Sequence, residues 1–213
     1  MSDNFIKPTI SELLNGLKEN NTQVLKAFDA VVNLHANYNR HFLIGDIDPD
    51  VGESIEAYIR FFNKMDDENN LAPEDREPII IFIDSCGGDL SACFTIIDAI
   101  TMSKTPIYTI NMGSAYSAGF FIAIAGHKRF AYPHSSYLYH EGSAGTQGTS
   151  VQFENFSAFY KKQLGQLRDH TLAHTKITPE KYEEIKKDDF WMTAQEAFEL
   201  GICDKIVTSL EVE

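Results

Sequence analysis

Ser117, His140 and Asp189 supply a hydroxyl, an imidazole and a carboxylate in chain order, and Gly87-Gly88 closes an apolar run upstream of them. A serine needs a base to become a nucleophile at neutral pH, the base needs an orienting acid, and the developing oxyanion needs amide donors. These four pieces together suit acyl transfer. Each alone has an ordinary occupation. A glycine pair after a strand commonly makes a turn, and a serine before a helix commonly caps it. Asp189 stands beside Lys186, Lys187 and Asp188, which alone reads as a solvated charge run. Placement on the surrounding elements is what lifts the joint reading above these.

Strands alternating with helices provide that placement. Residues 40–45 read as a short strand stopped by Gly45, followed by a helical stripe of Ile55, Ile59 and Phe62 with Phe61 and Met65 alongside. Residues 78–84 form a continuous apolar run of the kind expected for a strand buried on both faces. A helix over about 89–102, a strand over 106–110, a helix over about 117–125 and strands over 129–132 and 136–139 follow. This alternation predicts right-handed βαβ units, a largely parallel core sheet and an α/β class. In such sheets functional groups collect where strand ends meet helix starts. Gly87-Gly88 is at one such crossing. Ser117 is at the next, at the first turn of an apolar helix, with Ala115, Ala118 and Gly119 leaving room for a carbonyl. His140 ends the strand over 136–139, and Phe190-Trp191-Met192 is expected to pin Asp189 against the domain.

The flanking regions read differently. Residues 1–39 are expected to form an N-terminal helical extension, with a capping box at Thr9 and Glu12 and a second helix near residues 24–34. Residues 142–150 are rich in Gly, Ser, Thr and Ala and suit an extended ribbon, and a long helix over about 151–174 follows. The peptidase-like domain is thus expected over 40–213, with a protruding ribbon and helix over about 141–175.

Composition narrows the class. A chain of 213 residues with 43% hydrophobic content can bury one sizeable core. A net charge of -13 argues against nucleic acid and anionic membrane surfaces as partners. Cys86, Cys93 and Cys203 have no CxxC spacing, so neither a disulfide framework nor a cysteine zinc site is expected. The opening MSDNFIKPTI has no basic and apolar leader pattern, which leaves a cytoplasmic location as the expectation. No cofactor or metal is expected. Asp46 to Asp50 lacks the glycine and glutamate of a calcium loop, and His170 and His174 lack the glutamate of a zinc-protease helix. Cys86 is a rival nucleophile, but its place beside the glycine pair points to backbone positioning.

Residues 40–205 resemble the proteolytic subunit of the Clp protease family, within the ClpP/crotonase fold of repeated ββα units. The matching segments include Phe82-Ile-Asp-Ser-Cys-Gly-Gly88, Ala115-Tyr-Ser-Ala-Gly119, Arg129-Phe-Ala-Tyr-Pro133, Tyr139-His140, Gly145-Thr-Gln-Gly148 and Asp189-Phe-Trp-Met-Thr-Ala194. The resemblance implies a serine endopeptidase with Ser117 as nucleophile, His140 as base and Asp189 as orienting acid. It also implies an oxyanion hole of the Gly88 and Ala118 amides. Extended polypeptide substrates would lie between Gly87, Gly88, Asp89 and Leu90 on one side and Glu141, Gly142 and Ser143 on the other. A homo-oligomer of two stacked heptameric rings, joined through the ribbon and long helix, and an AAA+ ATPase unfoldase partner are further implications. The chain departs from the family pattern at Cys86, where proline is usual, and at Tyr116, where a small residue is usual. The first forty residues do not resemble the family's axial-loop segment. A crotonase-like enzyme acting on acyl-CoA, a viral processing protease working without an ATPase, and a non-catalytic scaffold subunit are the alternatives.

Overall fold

The computed structural model describes residues 40–209. The helical extension expected over 1–39 lies outside the described residues. Strand β1 (His41–Ile44) leads into helix α1 (Pro49–Glu68), whose start is fixed by Asp48 accepting from the Val51 amide at 2.8 Å and by Pro49 in the first turn. The buried side of α1 carries Ile55, Ile59 and Phe62, whereas Phe61 and Met65 are 53% and 36% exposed. At about 100° per residue those two lie roughly a quarter turn off the buried stripe, so apolar character alone misplaces them.

Strand β2 (Ile79–Ser85), helix α2 (Leu90–Met102), strand β3 (Ile107–Tyr116), helix α3 (Ala118–Ala125), and strands β4 (Lys128–Ala131) and β5 (Ser136–Tyr139) follow. Helices α4 (Ser150–His174) and α5 (Pro179–Ile185), strand β6 (Phe190–Thr193), helix α6 (Ala194–Glu199) and strand β7 (Lys205–Ile206) complete the described chain. The sheet order β1-β2-β3-β4-β7 is parallel throughout, and β6 is antiparallel to β5.

Strand β3 is longer than the 106–110 run suggests, because it serves two neighbours in succession. Tyr108 to Asn111 pair with β4, and Ser114 to Tyr116 pair with β5. Between these halves the register with β2 slips: Ile83 faces Asn111 and Ser85 faces Ala115. Three residues of β3 therefore stand opposite Asp84 alone, a bulge that re-aims the strand. The Asp84 carboxylate closes it by accepting from the Ser114 amide at 2.9 Å, and the Asn111 side chain donates to the Ser136 carbonyl at 2.8 Å. Asn111, Gly113 and Ser114 interrupt the apolar pattern, which hides the strand's second half.

One face of the sheet packs under α1, α2 and α3 in the main core, and every residue of α3 is buried. A smaller cluster of Ile80, Ile110, Phe130 and Val207 covers the opposite face. The edge of the domain is tied by a polar network. Arg40 forms a bidentate pair with buried Asp66, which also accepts from the Thr105 hydroxyl at 2.7 Å. Charge-assisted pairing of this kind offsets the cost of removing both groups from water.

Helix α4 begins with a reciprocal capping box between Thr149 and Gln152. Its C-terminal half is held against the body: Leu167 and Thr171 are buried, and His170 Nε2 donates to the Phe121 carbonyl at 3.0 Å. The Arg129 guanidinium clasps the carbonyls of His174 and Gly201 and the Asp204 carboxylate. The N-terminal half exposes Val151, Phe153 and Phe159. Residues 142–149 are exposed and carry no strand within the single chain. Among the described residues no helix is long and apolar enough to cross a membrane.

Candidate active site

The register of three strands gathers the predicted catalytic side chains at one end of the sheet. Tyr116 faces Leu138 across β3 and β5, and Leu138 faces Trp191 across β5 and β6. Alternation sends Ala115, Tyr137 and Met192 into the core, so the row of Tyr116, Leu138 and Trp191 lies on the other face. Ser117 follows the first of these residues, His140 is two beyond the second, and Asp189 is two before the third. Tyr116 and Trp191 meet edge to face at 5.0 Å, and the Tyr116 hydroxyl is 2.7 Å from Ser136 Oγ. Trp191 is 56% exposed, so β6 alternates instead of burying its whole aromatic run.

Ser117 makes the turn from β3 into α3 with φ 54° and ψ -120°. A positive φ costs a non-glycine residue on the order of 1–3 kcal/mol and persists where the surroundings enforce it. Here the Ser117 amide donates to the Leu138 carbonyl at 3.0 Å, and the Ser117 carbonyl accepts from the Phe120 amide at 3.0 Å. The side chain makes no capping bond, so its hydroxyl is not consumed by the helix.

The glycine pair presses against this turn. A Cβ on Gly87 would lie 2.7 Å from Ser117 Cβ and 2.9 Å from the Tyr116 carbonyl, and one on Gly88 would lie 1.9 Å from the Ile47 carbonyl. Their φ values, 106° and 151°, add to the requirement for glycine. Ile47 bonds to the chain on either side of Gly88, through the Gly87 carbonyl at 3.1 Å and the Asp89 amide at 2.7 Å. In a parallel bridge this directs the amide and carbonyl of Gly88 itself to the opposite side. The Ala118 amide, at the first position of α3, has no acceptor within its helix. The outward side of Gly88 and the start of α3 are thus the two amide-bearing edges nearest the Ser117 turn in sequence and packing.

The remaining expected substrate residues divide. Asp89 caps α2 by accepting from the Ala92 amide at 2.8 Å, and Leu90 packs partly against the core. Glu141 is partly buried, while Gly142 and Ser143 are exposed.

His140 ends β5. Its Nδ1 lies 3.5 Å from Asp189 Oδ1, and the Asp189 side chain is 54% exposed. The other ring nitrogen, Nε2, is buried and has no hydrogen-bond partner. The register thus draws Ser117 and His140 to adjacent strand ends without a hydrogen bond joining them.

Of the three cysteines, Cys86 is exposed, whereas Cys93 and Cys203 are buried and inert. All three are free thiols. Burial pushes the Cys93 thiol up, and burial together with Asp204 leaves Cys203 at about 11. His174 Nδ1 donates to the His170 carbonyl at 2.9 Å, so both histidines serve backbone contacts.

Three contributors escape a sequence reading. Buried Ser85 accepts from the Gly87 amide at 3.0 Å and shapes the glycine turn. Tyr182 pairs with Tyr139, and Tyr160 donates to the Glu141 carbonyl at 2.6 Å. A lone polar residue closing the apolar β2 run is the one local signal, for Ser85; the tyrosines offer none.

A parallel sheet with a serine at a strained strand-to-helix turn, and a histidine and carboxylate at neighbouring strand ends, suits a hydrolase of the serine type. The family model for Clp protease matches residues 29–210. Proteolytic subunit 2 of the ATP-dependent Clp protease from Treponema denticola is 32% identical over 211 residues, covering 95% of this chain and 94% of its own. The subunit of the same name from Corynebacterium glutamicum is 34% identical over 179 residues, covering 80% and 82%. The chain belongs to the Clp protease family, and is a serine-type endopeptidase.

Proposed function

We propose that the chain hydrolyses extended polypeptides through a Ser117, His140 and Asp189 triad, within a chamber formed by copies of itself. The observation that carries this reading is the buried, unpartnered Nε2 of His140, just beyond the strand whose Leu138 carbonyl accepts from the Ser117 amide. An unsatisfied buried nitrogen costs about 1–3 kcal/mol, a cost that a base awaiting its proton accounts for.

Ser117 Oγ attacks the scissile carbonyl carbon as His140 Nε2 takes its proton, while Asp189 accepts from Nδ1 and steadies the imidazolium. The oxyanion accepts from the Gly88 and Ala118 amides. Collapse expels the amine, which takes the proton from His140, and leaves an acyl-enzyme on Ser117. Water then gives a proton to His140 and attacks the ester, releasing the acid and restoring Ser117. The substrate backbone pairs with the outward-facing edge of Gly88 on one side and the ribbon at Glu141 to Ser143 on the other.

Exposed Val151, Phe153 and Phe159 on α4 support burial of that helix against further copies, here proposed as two stacked rings of seven. The relatives' ATP-dependent name supports an AAA+ unfoldase as partner. A fluorophosphonate probe followed by intact-mass measurement tests the chemistry. One adduct, located at Ser117 and absent in Ser117→Ala, is expected. That variant should also lose at least about a thousandfold in peptide turnover. Labelling elsewhere, or undiminished turnover by Ser117→Ala, removes Ser117 from the mechanism, and turnover of acyl-CoA thioesters by that variant would favour the crotonase-like alternative.

A further inference from the structure

Among the described residues the one polar side-chain partner of the His140 imidazole is a half-exposed carboxylate, at 3.5 Å. That contact is too long and too wet to orient a ring by itself. The backbone on both sides of His140 is held instead. Before it, Tyr139 is locked in β5 and its buried hydroxyl donates to Tyr182 on α5 at 2.6 Å. After it, the Glu141 carbonyl accepts from the Tyr160 hydroxyl on α4 at 2.6 Å. Immediately beyond, Gly142 turns with φ 72° and the exposed ribbon begins.

We infer that Tyr160 is a positioning residue for the general base: its bond to the Glu141 carbonyl fixes the peptide after His140 and so keeps the imidazole aimed at Ser117. The inference rests on the triad reading above. Tyr160 is well suited to the task. Its ring stacks on Phe156 with 6° between planes and 6.3 Å between centroids, so the hydroxyl is delivered by a preset side chain. Burial, with the Glu141 charge next, raises the phenol pKa, and the group stays a donor. The tie also joins the base to α4, whose other end is clasped by Arg129. Without it, the chain from His140 into the ribbon is free to rotate about the residues that set the ring's direction.

Tyr160→Phe removes the hydroxyl and retains the stack. The rate of fluorophosphonate labelling and kcat on a short peptide are measured together with KM, native mass and melting temperature, each rate taken on material of the parent's native mass. The expected result is a fall of about tenfold in both labelling rate and kcat, the scale of one lost hydrogen bond, with KM held within about twofold. A residue that only props up the fold would shift melting and leave per-molecule labelling unchanged. A raised KM with unchanged kcat and labelling would mean that Tyr160 serves the substrate ribbon, and would overturn the inference. Unchanged values throughout would overturn it too. Failure of the parent to label at Ser117 would instead defeat the triad reading, a separate outcome.

Discussion

The Tyr139 and Tyr182 hydroxyls meet at 2.6 Å inside the core, one residue before the proposed base, and join β5 to α5 across 43 positions of sequence. Both residues are at most 2% exposed, so neither oxygen has water to fall back on. Tyr182→Phe should strand the Tyr139 hydroxyl and cost about 1–3 kcal/mol. Tyr139→Phe combined with Tyr182→Phe should cost less than the two single changes added together. Urea melts of the four proteins measure the coupling, and simple additivity would show that the hydroxyls do not stabilise one another.

Acid should loosen the attachment of α4 through His170. Burial lowers the His170 pKa to about 4, against a small opposing effect of its bond to the Phe121 carbonyl. The unfolded chain therefore binds the extra proton first, and the folded state loses ground as pH falls from the ordinary histidine value of 6.5 to about 4. The loss is on the order of 3 kcal/mol, and is absent above pH 7. His170→Gln should flatten the stability profile in this window. An equally steep profile in that variant would assign the effect to another group.

Gly87→Ala should abolish labelling and turnover while native mass is kept. The added methyl would sit 2.7 Å from Ser117 Cβ, and its φ of 106° is unfavourable for alanine. The collision falls on the backbone that carries the proposed nucleophile. Wild-type activity in Gly87→Ala would mean that the glycine turn and Ser117 move independently.

Much of this arrangement is legible in the chain itself. The apolar run of β2, the buried helix α3 and the serine between β3 and α3 all follow local rules of pattern and placement. So does Asp48 as a cap. Where those rules lapse, position depends on partners far away in sequence. The second half of β3 is polar and small, and is a strand because Asp84 and β5 complete its bonds. Phe61, Met65 and Trp191 are apolar yet exposed, since helix phase and strand alternation turn them outward. Tyr160 and Tyr182 look like core filling until their hydroxyls find Glu141 and Tyr139. No periodicity encodes a single phenol's partner.

Because β3 pairs first with β4 and then with β5, and with β2 on its other side, the serine at its tip is mounted on the strand that joins three others. Exchanging the loops around the cleft for those of a relative would leave that mounting undisturbed. Inserting or deleting one residue between Asn111 and Ala115 would instead displace Ser117 relative to the glycine turn and the imidazole at once. Redesign of what this enzyme cuts has freedom at the rim, and none along that axle.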